Sequence, residues 1–324
     1  MFDTVGVGAL ALLAALFGWI ALRARRATRA LVKWGGLGLS GLLAVVCSAA
    51  LVVALVGFYK LSYPPYRYPV SDLKVAGTPE QLARGSKFIV FCAACHGLSE
   101  KPPLAGQNFS QGGPPIGTLY APNLTPAGEI GGWSDGEIIR AIRGGVHQSG
   151  RPLLIMPSEI LRNLSDADAQ AIVAALRAQP ASGTASPTTR LNVLGALFVG
   201  AGLFPTSAQR PITTPVLAPA EDTSAEYGHY LVSILGCQLC HGEHLTGGTG
   251  GKMGPPQGPD LRHLVPRWSE AGFAGTLRTG VDPIQHVLAA GMPWKLYSAF
   301  ASDDDLKAIY AYLHGLSPIA PSSK

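Results

Sequence analysis

CAACH (Cys92–His96) and CQLCH (Cys237–His241) are two copies of one pentapeptide, and the rest of the chain is arranged around them. Two thiols one helical turn apart can form thioethers with the two vinyl groups of a haem, and the next residue offers an imidazole to the iron. Zinc ribbons and thioredoxin-like redox pairs also contain a Cys-X-X-Cys spacing, but neither explains a histidine directly after both pairs. Each copy therefore predicts a covalently bound haem c, which makes two in the chain.

The N-terminal part of the chain holds most of its hydrophobic excess. Of 324 residues, 47% are hydrophobic and 14% are charged. Two runs, 5–22 and 35–59, contain no charged residue, and at ~1.5 Å per residue each is long enough to cross a hydrocarbon layer of ~30 Å. The positive charge follows the first run, whereas in a cleaved signal peptide it precedes the apolar stretch. Residues 1–62 are therefore predicted to form a two-helix transmembrane anchor.

The loop between the two runs is basic, with no acidic residue: Arg23, Arg25, Arg26, Arg29 and Lys33. Short basic loops stay in the cytoplasm, so the rest of the chain is expected on the outer face. We predict a multi-pass protein of a bacterial inner membrane with its haem domains in the periplasm, which agrees with the side on which c-type haem is attached. Residues 79–324 hold 17 lysines and arginines against 18 acidic residues, which gives no basic surface for nucleic acid.

Helix signals follow one another in the same order around both pentapeptides. Helix starts are expected at Thr78, Trp133 and Ser165 in the first part, and at Ala225, Trp268 and Ser302 in the second. The distance from Trp133 to Met156 is 23 positions, and from Trp268 to Met292 it is 24, which indicates an internal duplication. The predicted fold is all-α, with the anchor followed by two haem domains, the first repeat (79–181) and the second repeat (223–318).

Residues 182–222 connect the two repeats and are rich in Pro, Ser, Thr and Ala. The connector contains one apolar segment, Leu191 to Phe204, which at 14 residues is too short to span a membrane. It could lie on the membrane surface or pack between the two haem domains. We expect it to pack between the domains.

A haem iron with one histidine ligand has an open side, and the group that fills it decides the function. Met156 and Met292 each precede a proline at matching places in the two repeats. A thioether there would close the iron and raise its potential, which suits electron transfer. The alternatives are that both methionines only fill the core, or that the ligand is Met253 in the second repeat or one of the histidines His147, His263 and His286.

The chain resembles tandem, membrane-anchored dihaem cytochromes c. Three stretches of the first repeat, PNLTP (Pro122–Pro126), GGWS (Gly131–Ser134) and GRPL (Gly150–Leu153), are similar to the cytochrome subunits of bacterial membrane-bound alcohol and gluconate dehydrogenases. The resemblance implies small helical haem domains with histidine and methionine ligands. Those subunits carry three haem motifs where this chain has two, and the two-helix anchor is more similar to the dihaem subunit of some haem-copper oxidases.

The sequence therefore predicts an electron carrier rather than an enzyme. Electrons would pass between a respiratory or photosynthetic complex, or a dehydrogenase, and a downstream acceptor, with subunits of a membrane redox complex or a soluble carrier as partners. The expected thioether residues are Cys92, Cys95, Cys237 and Cys240, the proximal iron ligands His96 and His241, and the distal iron ligands Met156 and Met292. The alternative is a dihaem enzyme such as a peroxidase, which needs one open haem site.

Overall fold

The computed structural model describes residues 3–98, 101–110, 115–248 and 257–317. Helices dominate this part of the chain, as predicted: α1 (Thr4–Ala24), α2 (Ala30–Ser62), α3 (Pro79–His96), α4 (Asp135–Gly144), α5 (Ser158–Leu161), α6 (Asp166–Ala178), α7 (Val193–Gly200), α8 (Ala225–Ile234), α9 (Cys237–His241), α10 (Leu261–Leu264), α11 (Glu270–Thr279), α12 (Trp294–Phe300) and α13 (Asp303–His314). Four two-residue strands form two antiparallel pairs: β1 (Gln107–Asn108) with β3 (Tyr120–Ala121), and β2 (Gly117–Thr118) with β4 (Arg190–Leu191).

Helices α1 and α2 pack against each other and are both long and apolar enough to cross a membrane. Most of their large apolar side chains are exposed in the isolated chain, for example Leu12, Leu42 and Val45. A surface of this kind is stable in lipid and costly in water. The predicted apolar hairpin is therefore present, with the basic loop at its turn.

Helix α7, inside the apolar connector segment, packs on the anchor. The backbones of α7 and α2 come very close, because a Cβ added at Gly57 would lie 1.9 Å from the Ala196 carbonyl oxygen, and one at Gly200 would lie 2.0 Å from that of Val53. Glycines allow such an approach between helices in a membrane. At the end of α7, Lys60 Nζ donates to the Gly200 carbonyl at 3.2 Å, where a cation also complements the helix dipole.

The start of α7 is held by the first described residue of the anchor. The Asp3 carboxylate accepts hydrogen bonds from the backbone N–H groups of Gly6 at 3.0 Å and Val193 at 2.9 Å, and so caps α1 and α7 together. Further along, Val199 packs with Leu191 and with side chains of the first repeat. The expectation that residues 191–204 pack between the two haem domains is therefore wrong, since they pack between the anchor and the first repeat.

The first and last helices cross in the same way in both repeats. In the first repeat, α3 packs against α6, and a Cβ at Gly85 would lie 1.9 Å from the Ala171 carbonyl oxygen. In the second repeat, α8 packs against α13, and a Cβ at Gly228 would also lie 1.9 Å from the Ala308 carbonyl oxygen. Any side chain at either glycine would separate the two backbones, so this crossing needs glycine.

Polar side chains cap the helices where the sequence predicted their starts. Thr78, Ser134 and Ser302 each form a capping box, and Ser165 accepts a hydrogen bond from the Asp168 N–H at 3.0 Å. The oxygens satisfy backbone N–H groups that have no partner inside the helix. These predicted starts are confirmed.

The two repeats share one hydrophobic core, which runs from Phe88 and Leu176 in the first repeat to Leu231 and Phe300 in the second. A buried carboxylate joins them at its edge. Asp168 accepts hydrogen bonds from Arg84 Nε at 2.6 Å and Nη2 at 3.0 Å, and also from the Tyr230 hydroxyl of the second repeat. Burial and the neighbouring carboxylate raise the pKa of Tyr230, so the phenol stays protonated and remains a donor.

The Asp168 contact predicts a measurable stability difference. In Asp168→Asn the largely buried Arg84 guanidinium loses its buried carboxylate and keeps the more exposed Glu221, 3.0 Å away, so the free energy of unfolding is expected to fall by about 1.5–3 kcal/mol. Thermal unfolding of the detergent-solubilised protein, followed by circular dichroism, measures the change. The matched control is Asp304→Asn, because Asp304 is 71% exposed and pairs with the exposed Lys307; its expected effect is below about 1 kcal/mol. Equal stability of the two variants would contradict the role of Asp168.

Candidate haem sites

The two pentapeptides have different helical settings. The first forms the last turn of α3, which starts with the Thr78 cap and Pro79 and ends before Gly97. In the second repeat α8 already ends at Ile234, and the motif forms the separate five-residue helix α9. Gly236, with φ 73°, lies at the break, because this left-handed backbone favours glycine. The first pentapeptide therefore continues the helix that precedes it, whereas the second is separated from its preceding helix at Gly236.

Both motif histidines are buried and oriented in the same way. His96 Nδ1 lies 2.8 Å from the Pro122 carbonyl oxygen, and His241 Nδ1 lies 2.8 Å from the Pro259 carbonyl oxygen. A carbonyl can only accept, so Nδ1 carries the proton and Nε2 keeps its lone pair for a metal. Burial lowers the pKa of both imidazoles, against the opposing effect of the carbonyl. Each ring is thus a neutral ligand in a fixed tautomer, which fits a haem iron.

The loop that supplies this carbonyl is also duplicated. Residues 122–124 read Pro-Asn-Leu and residues 259–261 read Pro-Asp-Leu. In both loops the leucine N–H donates to another backbone carbonyl, from Leu124 to Leu104 at 2.8 Å and from Leu261 to Leu245 at 2.9 Å. The repeated tripeptide is the sequence signal that could have identified the histidine partners, which were not predicted.

The cysteines stand beside these histidines, in α3 and in α9. Burial raises the pKa of the Cys92 and Cys237 thiols to about 12. The thiolate is the reactive form of cysteine, so both thiols are poorly reactive once the chain has folded.

A large apolar cleft lies in the first repeat, with His96 on its wall and Met156 lining it as well. Its volume, counted to include the space open to solvent at its mouth, is about 1180 Å³. Most of the lining is aliphatic or aromatic and includes Leu124, Ile138 and Trp133. An apolar cleft with an imidazole and a thioether on its walls fits a haem. In the second repeat the chain passes so close to the histidine that a Cβ at Gly258 would lie 2.6 Å from His241 Nδ1.

The two methionines occupy the same local structure. Each is followed by a proline that caps a short helix, Pro157 with φ −79° and ψ 51°, and Pro293 with φ −82° and ψ 50°. In both repeats the backbone N–H of the residue after this proline donates a hydrogen bond to the methionine carbonyl oxygen, at 2.8 Å. Met156 and Met292 are half-buried against the shared core. The match in sequence thus extends to backbone geometry, which supports one role for both; Met253, the alternative in the second repeat, lies outside the described residues.

The three alternative histidines already have other partners. In the first cleft, His147 packs edge-on against Trp133, and its Nε2 lies 3.4 Å from a Glu129 carboxylate oxygen. His263 Nδ1 lies 2.7 Å from Asp260, and His286, 70% exposed, lies 3.8 Å from Asp282. These contacts favour the methionines as the second ligands.

The first cleft also contains charged groups that were not predicted from the sequence. Arg151 lines the cleft, and its hydrogen-bond contact within the structure is a long one, 3.5 Å to the Pro152 carbonyl oxygen. Burial lowers the pKa of Arg151, while the nearby Glu129 opposes this. A guanidinium in this position can pair with the carboxylates of a bound porphyrin. Arg151 belongs to the GRPL stretch, so the signal that could have found it is the same stretch that carries the family resemblance.

Comparison with known proteins identifies the family. The family model described as cytochrome c matches residues 82–179 and 225–317. The alcohol dehydrogenase (quinone) cytochrome c subunit of Gluconobacter oxydans is 28% identical over 309 residues, which cover 84% of this chain and 61% of that protein. The gluconate 2-dehydrogenase cytochrome c subunit of Pantoea cypripedii is 31% identical over 275 residues, 73% of this chain and 58% of that protein.

A further relative is a nicotinate dehydrogenase subunit of Pseudomonas putida, 32% identical over 258 residues, which cover 69% of this chain. The aligned region spans only 20% of that protein. Thus the chain covers between a fifth and about three fifths of these relatives. The resemblance to cytochrome c subunits of alcohol and gluconate dehydrogenases is confirmed. With two matched segments that together cover more than half of its length, the chain belongs to the cytochrome c family, whose domains bind haem c covalently.

Proposed function

We propose that this protein is a membrane-anchored dihaem cytochrome c that transfers electrons on the periplasmic face of a bacterial inner membrane. The observation that carries the proposal is that the same site occurs in both repeats. Each repeat has a buried histidine that forms a hydrogen bond with a proline carbonyl, and a methionine that precedes a proline-capped helix. When bound, each haem supplies a one-electron iron couple. The rest of the site is built by side chains of this chain.

The proposed roles follow the order of the motifs. Cys92 and Cys95 in the first repeat, and Cys237 and Cys240 in the second, would hold the two porphyrins as thioethers. The irons would be held by the histidine Nε2 atoms of residues 96 and 241 and by the thioether sulfurs of residues 156 and 292. An iron with two protein ligands has no free position for a substrate, so the protein is a carrier. A peroxidase-like enzyme would need one of these methionines to be absent or displaced.

The anchor gives the proposed orientation. The basic loop between α1 and α2 belongs on the cytoplasmic side, which puts both repeats on the periplasmic side. The first repeat lies against α7 and the outer end of α2, because Phe109, Leu119 and Leu154 of its cleft pack in one cluster with Leu61 and Val199. The first haem is therefore the one nearer to the membrane.

The partners are proposed from the relatives' names. Those relatives are subunits of dehydrogenases, so a dehydrogenase subunit is the proposed electron donor of this chain. The membrane-proximal site would pass electrons to or from a membrane complex, and the outer site would exchange them with the dehydrogenase or a soluble carrier. Charge offers no sign of nucleic-acid binding in residues 79–324.

Ligand substitution tests the methionine assignments. In Met156→His and Met292→His an imidazole replaces the thioether, so the reduction potential of one haem is expected to fall and that of the other to stay. Spectroelectrochemical titration of the purified protein measures both potentials, and the far-red band of iron–thioether ligation should lose half its intensity. Met253→Leu is the control and should leave both haems unchanged. A titration of Met156→His or Met292→His identical to that of the wild type would refute that ligand.

Cysteine labelling tests the orientation. Single cysteines are introduced at two exposed positions, Thr28→Cys in the basic loop and Asp72→Cys after α2. A membrane-impermeant thiol reagent added to intact spheroplasts should label the cysteine at position 72, and should label that at position 28 only after the membrane is permeabilised. The parent protein without added cysteines gives the background. The reverse pattern would place the haem domains in the cytoplasm.

A further inference from the structure

The interface between the two repeats has an approximate twofold pattern. In each repeat, the short helix after the Met-Pro pair touches the chain next to the other repeat's pentapeptide. Ile160 of α5 lies so close to Gly236 that a Cβ there would be 2.6 Å from its Cδ1 atom. On the other side, α12 packs against α3, the helix that carries the first pentapeptide.

The α12 side of this pattern is aromatic. The ring centroids of Phe91 and Tyr297 are 5.7 Å apart, those of Phe91 and Phe300 are 5.2 Å apart, and those of Phe88 and Phe300 are also 5.2 Å apart. These separations lie in the favourable range for aromatic pairs. Phe91 directly precedes Cys92, so the cluster begins at the first attachment site.

Tyr297 connects the cluster to the second attachment site. Its hydroxyl donates a hydrogen bond to the Leu235 carbonyl oxygen at 3.2 Å, two residues before Cys237. Burial raises the pKa of the phenol, which therefore keeps its proton as the donor. The contact between Phe91 and Tyr297 thus joins the two pentapeptides through two side chains.

We propose that Phe91 and Tyr297, together the aromatic junction, are positioning residues that fix the distance between the two haem attachment sites, and that the haems exchange electrons across this pair. The inference rests on the proposed function, since it needs a haem on each pentapeptide. One electron leaves a ferrous iron, which becomes ferric, and reduces the ferric iron of the other site. No bond forms or breaks, and neither ring changes its oxidation state.

Packing around the aromatic junction makes the distance rigid. The hydrogen bond from the Tyr230 hydroxyl to Asp168 crosses the same interface, and Arg84 of the first repeat holds that carboxylate in place. Lys87 lies 3.8 Å from the buried Asp305 of the second repeat. A close-packed interior resists small displacements, so the two rings cannot drift apart without breaking these contacts. Loss of a ring leaves a gap between the attachment sites that the surrounding structure closes only in part.

The experiment measures the rate of electron exchange between the haems. It also measures the haem content and the reduction potential of each haem. The full-length protein, with two haems and two iron–thioether bands, is reduced by a light-driven pulse in detergent, and the redistribution of the electron between the haems is followed optically. Phe91→Leu and Tyr297→Leu should each slow the redistribution several-fold, with haem content and both potentials unchanged. The double variant should be little slower than either single one, because both residues act through one contact.

Two control variants separate this role from general packing. Tyr297→Phe keeps the ring and removes only the hydroxyl, so it should retain most of the wild-type rate. Phe273→Leu removes a buried ring of the second repeat whose aromatic contact is with Tyr310 of the same repeat, and should leave the rate unchanged. If a leucine variant fails to take up haem, Phe91→Met supplies the same test, because a methionine side chain adapts to irregular space in a core.

The outcomes distinguish the aromatic junction from the function on which it rests. Wild-type redistribution rates in Phe91→Leu and Tyr297→Leu, with both haems intact, would overturn the aromatic junction and leave the dihaem carrier standing. The same loss of rate in Phe273→Leu would also overturn it, since the effect would then be general. A wild-type protein with one haem, or with a haem that binds carbon monoxide, would overturn the proposed function and the aromatic junction together.

Discussion

The hydrogen bond between a buried histidine Nδ1 and a proline carbonyl is the constraint around which each repeat is built. An imidazole that is to bind iron has to be neutral, fixed in one tautomer and shielded from water, and a backbone carbonyl at 2.8 Å from His96 and His241 meets these needs. The loops that bring Pro122 and Pro259 into place are tied back by the backbone bonds of Leu124 and Leu261. Helix crossing at a glycine then closes each repeat around its histidine.

Two such repeats form one body because they share a core and a buried charge. Independent domains on a flexible connector would meet in many orientations, whereas here Phe88 and Leu231 belong to one cluster and Asp168 binds groups from both repeats. A buried carboxylate is costly unless every partner is in place, so it selects one arrangement of the domains. For an electron carrier this matters, because a fixed distance between two sites gives a fixed rate of exchange.

Much of the site follows from the sequence, because covalent haem attachment needs one spacing of Cys and His and because helix caps use a few residue types. The pentapeptides, the starts at Thr78 and Ser302, and the Met-Pro pairs are local patterns of this kind. The break at Gly236 could not be predicted in this way, because the side chain packed against it is Ile160 from the other repeat. The packing of α7 on α2 could not be predicted for a similar reason. The sequence of a 14-residue apolar segment does not determine which apolar surface the segment covers.

Helix α7 links the anchor to the haem domains and so gives the membrane a role in positioning the first site. Asp3 caps α1 and α7 with one carboxylate, and Lys60 bonds to the opposite end of α7, so the helix is held at both ends by the anchor. Its outer side packs with Leu119 and Leu154, which also line the first cleft. A flexible tether would let the domains sample many heights above the bilayer. A docked helix instead holds the first repeat in one position relative to the anchor, so the distance between the anchor and the first cleft is fixed.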